Sequence, residues 1–113
     1  MYVHKEYEAI VFEEKGPVGI ITLNRPDDGN MFTPVMCREI RDCIEVIRNE
    51  TRTRVAILTG AGERFFCIGG QKVDLEDTNL YPGVVPTLEM YEAIDRLQKP
   101  VIAAVNGYAV GGG

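Results

Sequence analysis

The sequence has no tryptophan, one histidine (His4) and only three cysteines, Cys37, Cys43 and Cys67, none of them in a C-x-x-C pair. Zinc sites draw on paired Cys and His ligands at short spacings, so these absences exclude a structural or catalytic zinc centre. With His4 near the start of the chain, a mechanism that uses histidine as its base is excluded too. The thiols read as small buried hydrophobes. Long apolar runs are also missing. None approaches the roughly 18 residues of a membrane span, and MYVHKEYEAI lacks the apolar region of a signal peptide, which predicts a cytoplasmic protein with no membrane partner. Positive charge is in deficit, 12 Lys and Arg against 17 Asp and Glu for a net charge of -5. Nucleic acid is therefore excluded as a general partner, because phosphate binding needs a basic face. A small anion held by main-chain amides remains open.

What is present is ordinary for a globular chain: 113 residues, 45% hydrophobic and 26% charged, enough for one domain with a modest core. Ile10 to Glu13 predicts a first strand and Val18 to Leu23 a second, joined at Lys15-Gly16-Pro17 as a hairpin. NRPDDGN, Asn24 to Asn30, is dense in turn formers. Thr33 is a candidate N-cap with Pro34 in the first helical position. Met36, Ile40, Cys43, Ile44 and Ile47 follow at helical spacing to about Asn49, with Arg38, Glu39, Arg41, Asp42 and Arg48 on a solvated face. Val55 to Thr59 predicts a buried strand, so that strand, helix and strand make a right-handed crossover and a parallel sheet. Phe65 to Ile68 is a short apolar piece, and Gln71 to Pro86 a polar, acidic loop. Leu88, Tyr91, Ile94 and Leu97 mark a second helix over Thr87 to Gln98. Val101 to Val105 is the final buried strand, ended by Asn106-Gly107. The predicted order is ββαβ, a short strand, then αβ.

Two glycine bends follow apolar segments, Gly69-Gly70 and Gly111-Gly112-Gly113. Ligands of parallel α/β sheets collect at the carboxyl ends of strands. Two such bends brought together would offer convergent N–H donors to an oxyanion, where one donor is worth about 2.7–4 kcal/mol. The pattern alone is equally satisfied by two tight turns. Nucleotide motifs fail: Gly60-x-Gly62 has no third glycine at Phe65, and the phosphate-loop spacing of Gly107 to Gly112 meets Gly113 where lysine should stand.

GIITLNRP (Gly19 to Pro26), Asn30, VAILTGAG (Val55 to Gly62), Phe66-Cys67 with Gly69-Gly70, and KPVIAAVNGYAVGGG (Lys99 to Gly113) together resemble the crotonase superfamily of enoyl-CoA hydratases and isomerases. The resemblance runs almost end to end. It implies an α/β fold, the ββα spiral of that group, with residues 1–113 as the N-terminal part of a single domain cut short before the C-terminal helices. It also implies an acyl-CoA thioester as substrate, coenzyme A entering as part of that substrate, no separate cofactor and no metal. Gly70 and Gly112 would supply the oxyanion N–H groups that hold the thioester oxygen as it becomes an enolate. Ile68, Gly69, Gln71, Lys72, Tyr81, Tyr108, Ala109, Val110 and Gly111 would bind the substrate, with Tyr81, Tyr108, Ala109 and Val110 along the acyl pocket.

Three features depart from the family pattern: Asp27-Asp28-Gly29 in the loop lining the CoA site, Met31 for the usual alanine, and Gln71 for the usual aspartate. FCIGGQ and Gln71-Lys72-Val73 are similar to ring-processing members, the naphthoate synthases and ketocyclohexane-carboxyl-CoA hydrolases. Ring-forming or ring-opening C–C chemistry is therefore the alternative within the family. General acid–base catalysis needs a titratable group within reach of substrate, and no residue here is nominated for it. Asp74, Glu76 and Asp77 read as a solvated loop face. The family's carboxylates and its trimer-building helices fall after Gly113, so the expected oligomer is a homotrimer or a dimer of trimers. The alternative of another class is a non-catalytic fragment or acyl-CoA-binding module, which would expose apolar sheet surface.

Overall fold

A computed structural model describes residues 6–50, 52–70 and 86–113 of the chain. Strands β1 (Ile10–Lys15) and β2 (Val18–Leu23) form the expected antiparallel hairpin. A single 3-10 turn at Pro26–Asp28 leads into helix α1 (Pro34–Glu50), and the chain returns as β3 (Val55–Gly60), parallel to β2. Strand β4 (Phe65–Cys67), helix α2 (Pro86–Asp95), strand β5 (Val101–Ala103) and strand β6 (Tyr108–Ala109) complete the order. The main sheet runs β1-β2-β3-β5, with β5 parallel to β3, and β4 pairs with β6 in a separate parallel ribbon. This is the α/β order read from the sequence, with β6 added.

Helix α1 starts where its chemistry places it. The Thr33 hydroxyl accepts the Met36 N–H at 3.2 Å, satisfying one of the orphan donors of the first turn. Met36, Ile40, Cys43, Ile44 and Ile47 are all at most 1% exposed and pack against Ile21, Leu23 and Ala56 of the sheet. Each such side chain withdrawn from water contributes roughly 1.5–3 kcal/mol. All three cysteines lie in this core.

The polar face of α1 is less solvated than its composition suggested. The Glu39 carboxylate accepts the N–H groups of Glu8 and Ala9 at 2.6 and 2.7 Å, and Asp42 accepts the Tyr7 hydroxyl at 2.7 Å. Two acids expected to face water therefore strap the segment before β1 to the helix.

Helix α2 also differs from expectation. Its buried stripe is Met90, Ala93 and Leu97, while Leu88 and Tyr91 are 56% and 38% exposed. Helical spacing fits either stripe, and packing against α1 selects the one that includes Met90. The helix ends at Asp95 rather than Gln98. There the Leu97 N–H turns back to the Ile94 carbonyl at 3.3 Å, and Gln98 takes a positive φ of 53°, the reversal that terminates helices. Lys99 follows, its ammonium donating at 2.6 Å to the Ile47 carbonyl near the end of α1.

The run Val101 to Val105 is not the buried strand its composition predicts. Pairing stops at Ala103, and Ile102 and Val105 are 52% and 58% exposed. An unbroken apolar run signals two covered faces, but β5 lies at the sheet edge, where only Val101 packs against the core and Ile102 and Ala103, on opposite faces, are both exposed. The register row Ile20–Ile57–Ile102 is half-buried at Ile20 and Ile57 and exposed at Ile102. Strand β3 is buried only at Ala56 and Gly60. Among the described residues, no helix is long and apolar enough to cross a membrane.

Candidate active site

The β4–β6 ribbon decides where the two glycine bends meet. Phe65 pairs with Tyr108 and Cys67 with Ala109, and the Val110 N–H donates to the Cys67 carbonyl at 3.0 Å. Both strands therefore release their bends at the same end, side by side. A Cβ added to Gly69 would stand 3.0 Å from the Val110 carbonyl oxygen and 3.6 Å from the Gly112 nitrogen. Gly69 also has φ +99°, so glycine is required there for both space and conformation.

Two asparagines hold the end of β3 and the start of β4, the strand that leads to the first bend. Asn30, fully buried, accepts the Arg25 N–H at 2.8 Å and donates to the carbonyls of Ala61 and Phe65, each at 3.1 Å. Asn106 accepts the Gly60 N–H at 3.0 Å and donates to the carbonyls of Gly60 and Gly62 at 2.9 and 3.2 Å. Between them they tie the NRPDDGN loop, the end of β3 and the segment leading into β6 to the start of β4. In the sequence Asn106-Gly107 reads simply as a turn signal. Asn30 enters only through the family resemblance, with no sign that its amide would be buried.

The direction of the Gly70 N–H follows from what holds the carbonyl of the residue before it, and that of the Gly112 N–H from the turn it sits in. The Phe32 N–H donates to Gly69 O at 2.9 Å. Gly69 O and the Gly70 N–H belong to one trans peptide, so the Gly70 N–H points the opposite way, off this parallel bridge. Val110 to Gly113 form a turn closed by the Gly113 N–H on Val110 O at 2.9 Å, with φ +56° at Gly111 and no positive φ at Gly112. This is the pattern of a type II′ turn, whose central N–H is not used in closing it. The Gly112 carbonyl accepts the Tyr91 hydroxyl at 3.2 Å. Among the described residues, neither the Gly70 nor the Gly112 N–H has an acceptor. Unpaired main-chain donors favour an acceptor from outside, so the arrangement suits a small oxyanion.

The remaining candidate residues divide. Ile68 packs against Gly29, whose added Cβ would stand 2.7 Å from it, and donates its N–H to Gly29 O at 3.1 Å. Val110 and Gly111 belong to the second bend and are exposed, as is Ala109. Tyr108 is 65% exposed, with its ring 6.1 Å from that of Phe65. Gln71, Lys72 and Tyr81, and the expected acidic loop with them, lie outside the described residues. In the NRPDDGN loop Asp28 pairs with Arg25 at 2.9 Å, so one of the two acids there is neutralised within the loop.

Around the bends, burial acts on the titratable groups. The Cys67 thiol is pushed up by burial, opposed by hydrogen bonds from the Gly69 and Phe32 N–H groups; its sulfur accepts the Gly69 N–H at 3.4 Å. The Tyr91 hydroxyl is also pushed up, by burial first and then by the nearby Cys37 and Cys67. Two hollows of about 500 and 620 Å³ lie elsewhere. One is lined by charged residues of α1 and α2, the other by Gly16, Pro17, Arg52, Thr53, Arg54 and Lys99. Neither includes a residue of the bends.

The enoyl-CoA hydratase/isomerase family pattern matches residues 13–113. A short-chain-enoyl-CoA hydratase of Clostridium acetobutylicum is 34% identical over 111 residues, which cover 96% of this chain and 42% of that protein. The crystal structure of an enoyl-CoA hydratase from Bacillus anthracis superposes with a TM-score of 0.84 at 34% identity, covering 94% of this chain and 43% of that one. An enoyl-CoA hydratase subunit of Geobacillus kaustophilus gives 0.81 at 32% identity, over 96% and 42%. The chain thus spans less than half the length of the relatives it matches.

Proposed function

This chain belongs to the enoyl-CoA hydratase/isomerase family, and from that premise we propose that it supplies the oxyanion site of an acyl-CoA-processing enzyme. The Gly70 and Gly112 N–H groups would donate to the thioester carbonyl oxygen and stabilise it more strongly as charge accumulates in the enolate. Only interactions that strengthen toward the transition state accelerate the reaction, and donors held in place beforehand do so at no reorganisation cost. The observation that carries this reading is the juxtaposition of two bends whose N–H groups are unclaimed among the described residues.

Water addition or proton shuttling also needs a general acid and base. Among the described residues, no carboxylate or amine takes part in the hydrogen bonds at the bends, and the proposal here is confined to the anion hole. The ring-processing alternative rests on FCIGGQ, Gln71-Lys72-Val73 and the long loop before the second helix, of which Phe66 to Gly70 lie within the described residues, and no described contact there favours it. The homo-oligomer expected for a cytoplasmic member of the family is part of the same proposal, and Ile102 and Val105 are exposed apolar surface it would bury. The test compares Gly112→Pro, which deletes one donor, with Gly112→Ala, which keeps it, both in a Tyr91→Phe background of the complete gene product, where the added Cβ no longer meets the Tyr91 hydroxyl. Turnover of a short-chain enoyl-CoA is expected to be about 10²–10³-fold lower with proline than with alanine, the circular dichroism spectrum being kept in both. Equal turnover in the two ends the assignment.

A further inference from the structure

The Gly111-Gly112-Gly113 bend has an unsolved problem if it is to present a donor. Three successive glycines have the greatest backbone freedom of any tripeptide, whereas an oxyanion donor is effective only when its direction is set in advance. Within the turn a single main-chain bond, Gly113 N–H to Val110 O at 2.9 Å, closes the loop. Cys67 packs against Gly113, and a further restraint comes from α2. Tyr91 donates its hydroxyl to Gly112 O at 3.2 Å, and that hydroxyl fills the space a Cβ on Gly112 would occupy. Its ring meets Phe32 edge-on, with centroids 6.4 Å apart and planes at 80°. The Phe32 N–H in turn sets the Gly69–Gly70 peptide. One side chain thus touches one bend directly and reaches the other through a single residue.

Resting on the oxyanion reading above, we infer that Tyr91 is a positioning residue of that site: its hydroxyl packs on the Gly112 Cα and holds the Gly112–Gly113 peptide that follows the donor, while its ring braces Phe32, so that α2 restrains the relative placement of the two bends. Burial does not explain the residue, since Tyr91 is 38% exposed while its neighbour Met90 is 1% exposed and serves the core. With its hydroxyl pushed above the ordinary tyrosine range, Tyr91 stays a donor at any pH where the enzyme would work.

The test compares wild type, Tyr91→Phe and Tyr91→Leu in the complete gene product, with an enoyl-CoA as substrate and acetoacetyl-CoA as probe. Acetoacetyl-CoA has an acidic methylene, so an oxyanion site shifts it toward its enolate, which is read by absorbance. Tyr91→Phe keeps the ring and loses the hydroxyl. A fall in kcat of about fivefold, a matching fall in the bound enolate fraction, and KM and thermal midpoint near wild type are expected. Tyr91→Leu, which also removes the brace on Phe32, should lose more of both signals. Wild-type kcat and wild-type enolate fraction in Tyr91→Phe would overturn the inference, as would a lowered midpoint with both kinetic signals intact. A wild-type protein that leaves the enolate fraction of acetoacetyl-CoA unchanged would defeat the oxyanion reading itself, and the role of Tyr91 with it.

Discussion

Replacing Asn30 by Asp changes one atom type at the point where the loop after β2 meets the ends of β3 and β4. Asn30 has φ +55°, a conformation Asp tolerates nearly as well as Asn, so the backbone cost is small. The acceptor toward the Arg25 N–H at 2.8 Å survives. Both donated bonds, to Ala61 O and Phe65 O at 3.1 Å, are lost, and an anionic oxygen faces two carbonyl oxygens at a fully buried position. Two lost bonds cost about 1 kcal/mol each, and an uncompensated buried charge brings the total to about 3–5 kcal/mol at neutral pH.

Burial must raise the pKa of the new carboxyl above its ordinary value of about 3.9. The unfolded chain then loses its proton first as pH rises. Stability falls by about 1.4 kcal/mol per pH unit from about pH 4 up to the raised pKa, and is level beyond it. In acid the protonated carboxyl regains one donor, leaving about 1 kcal/mol lost. Thermal unfolding of wild type and variant, from about pH 4 to about pH 8, should show midpoints about 4 °C apart in acid and separated by on the order of 10 °C or more near neutrality. A difference that stays flat with pH, or is absent at the alkaline end, would refute the buried, doubly donating geometry of Asn30.

Two further outcomes follow from the same packing. Gly112→Ala keeps the N–H but drives its Cβ into the Tyr91 hydroxyl, while Tyr91 Cζ and Phe32 Cε2 stand at ordinary contact, 3.6 and 3.7 Å. The variant should therefore lose activity alone, yet cost little in a Tyr91→Phe background, a non-additivity that kcat measurements on the double-mutant cycle would reveal. Cys37 and Cys43 are pushed by burial from an ordinary 9.0 to about 12. Neither should be alkylated by iodoacetamide at about pH 8 until denaturant is added, because the thiolate is the nucleophile. Since the folded form keeps these protons longer, stability should be unaffected by the two thiols below about pH 9 and fall as pH climbs from there. Alkylation of the native protein at the rate of a free thiol would contradict this.

Some of the fold is legible in the chain because local chemistry and final structure agree. Thr33-Pro34 starts a helix wherever the sequence is placed, the spacing of Met36, Ile40, Cys43, Ile44 and Ile47 selects its buried face, and Val18 to Leu23 forms the strand its composition demands. The two glycine bends were visible as bends for the same reason, glycine tolerating what other residues do not. Periodicity could not choose between Leu88-Tyr91 and Met90-Ala93 as the inner face of α2, since both repeat at helical spacing, and only the surface of α1 decides between them. Nor could composition show that Val101 to Val105 would be exposed from Ile102 onward, because exposure depends on what lies opposite.

The sequence by itself determined the elements and their order apart from β6, and the family, since helix caps, apolar spacings and glycine turns are local signals. Tertiary structure alone decided that Phe32 and Tyr91 restrain the two bends, and that Asn30 and Asn106 tie the end of β3 to the start of β4. Each of those contacts joins residues far apart in the chain, and a hydrogen bond depends on distance and direction in space, which no local pattern encodes.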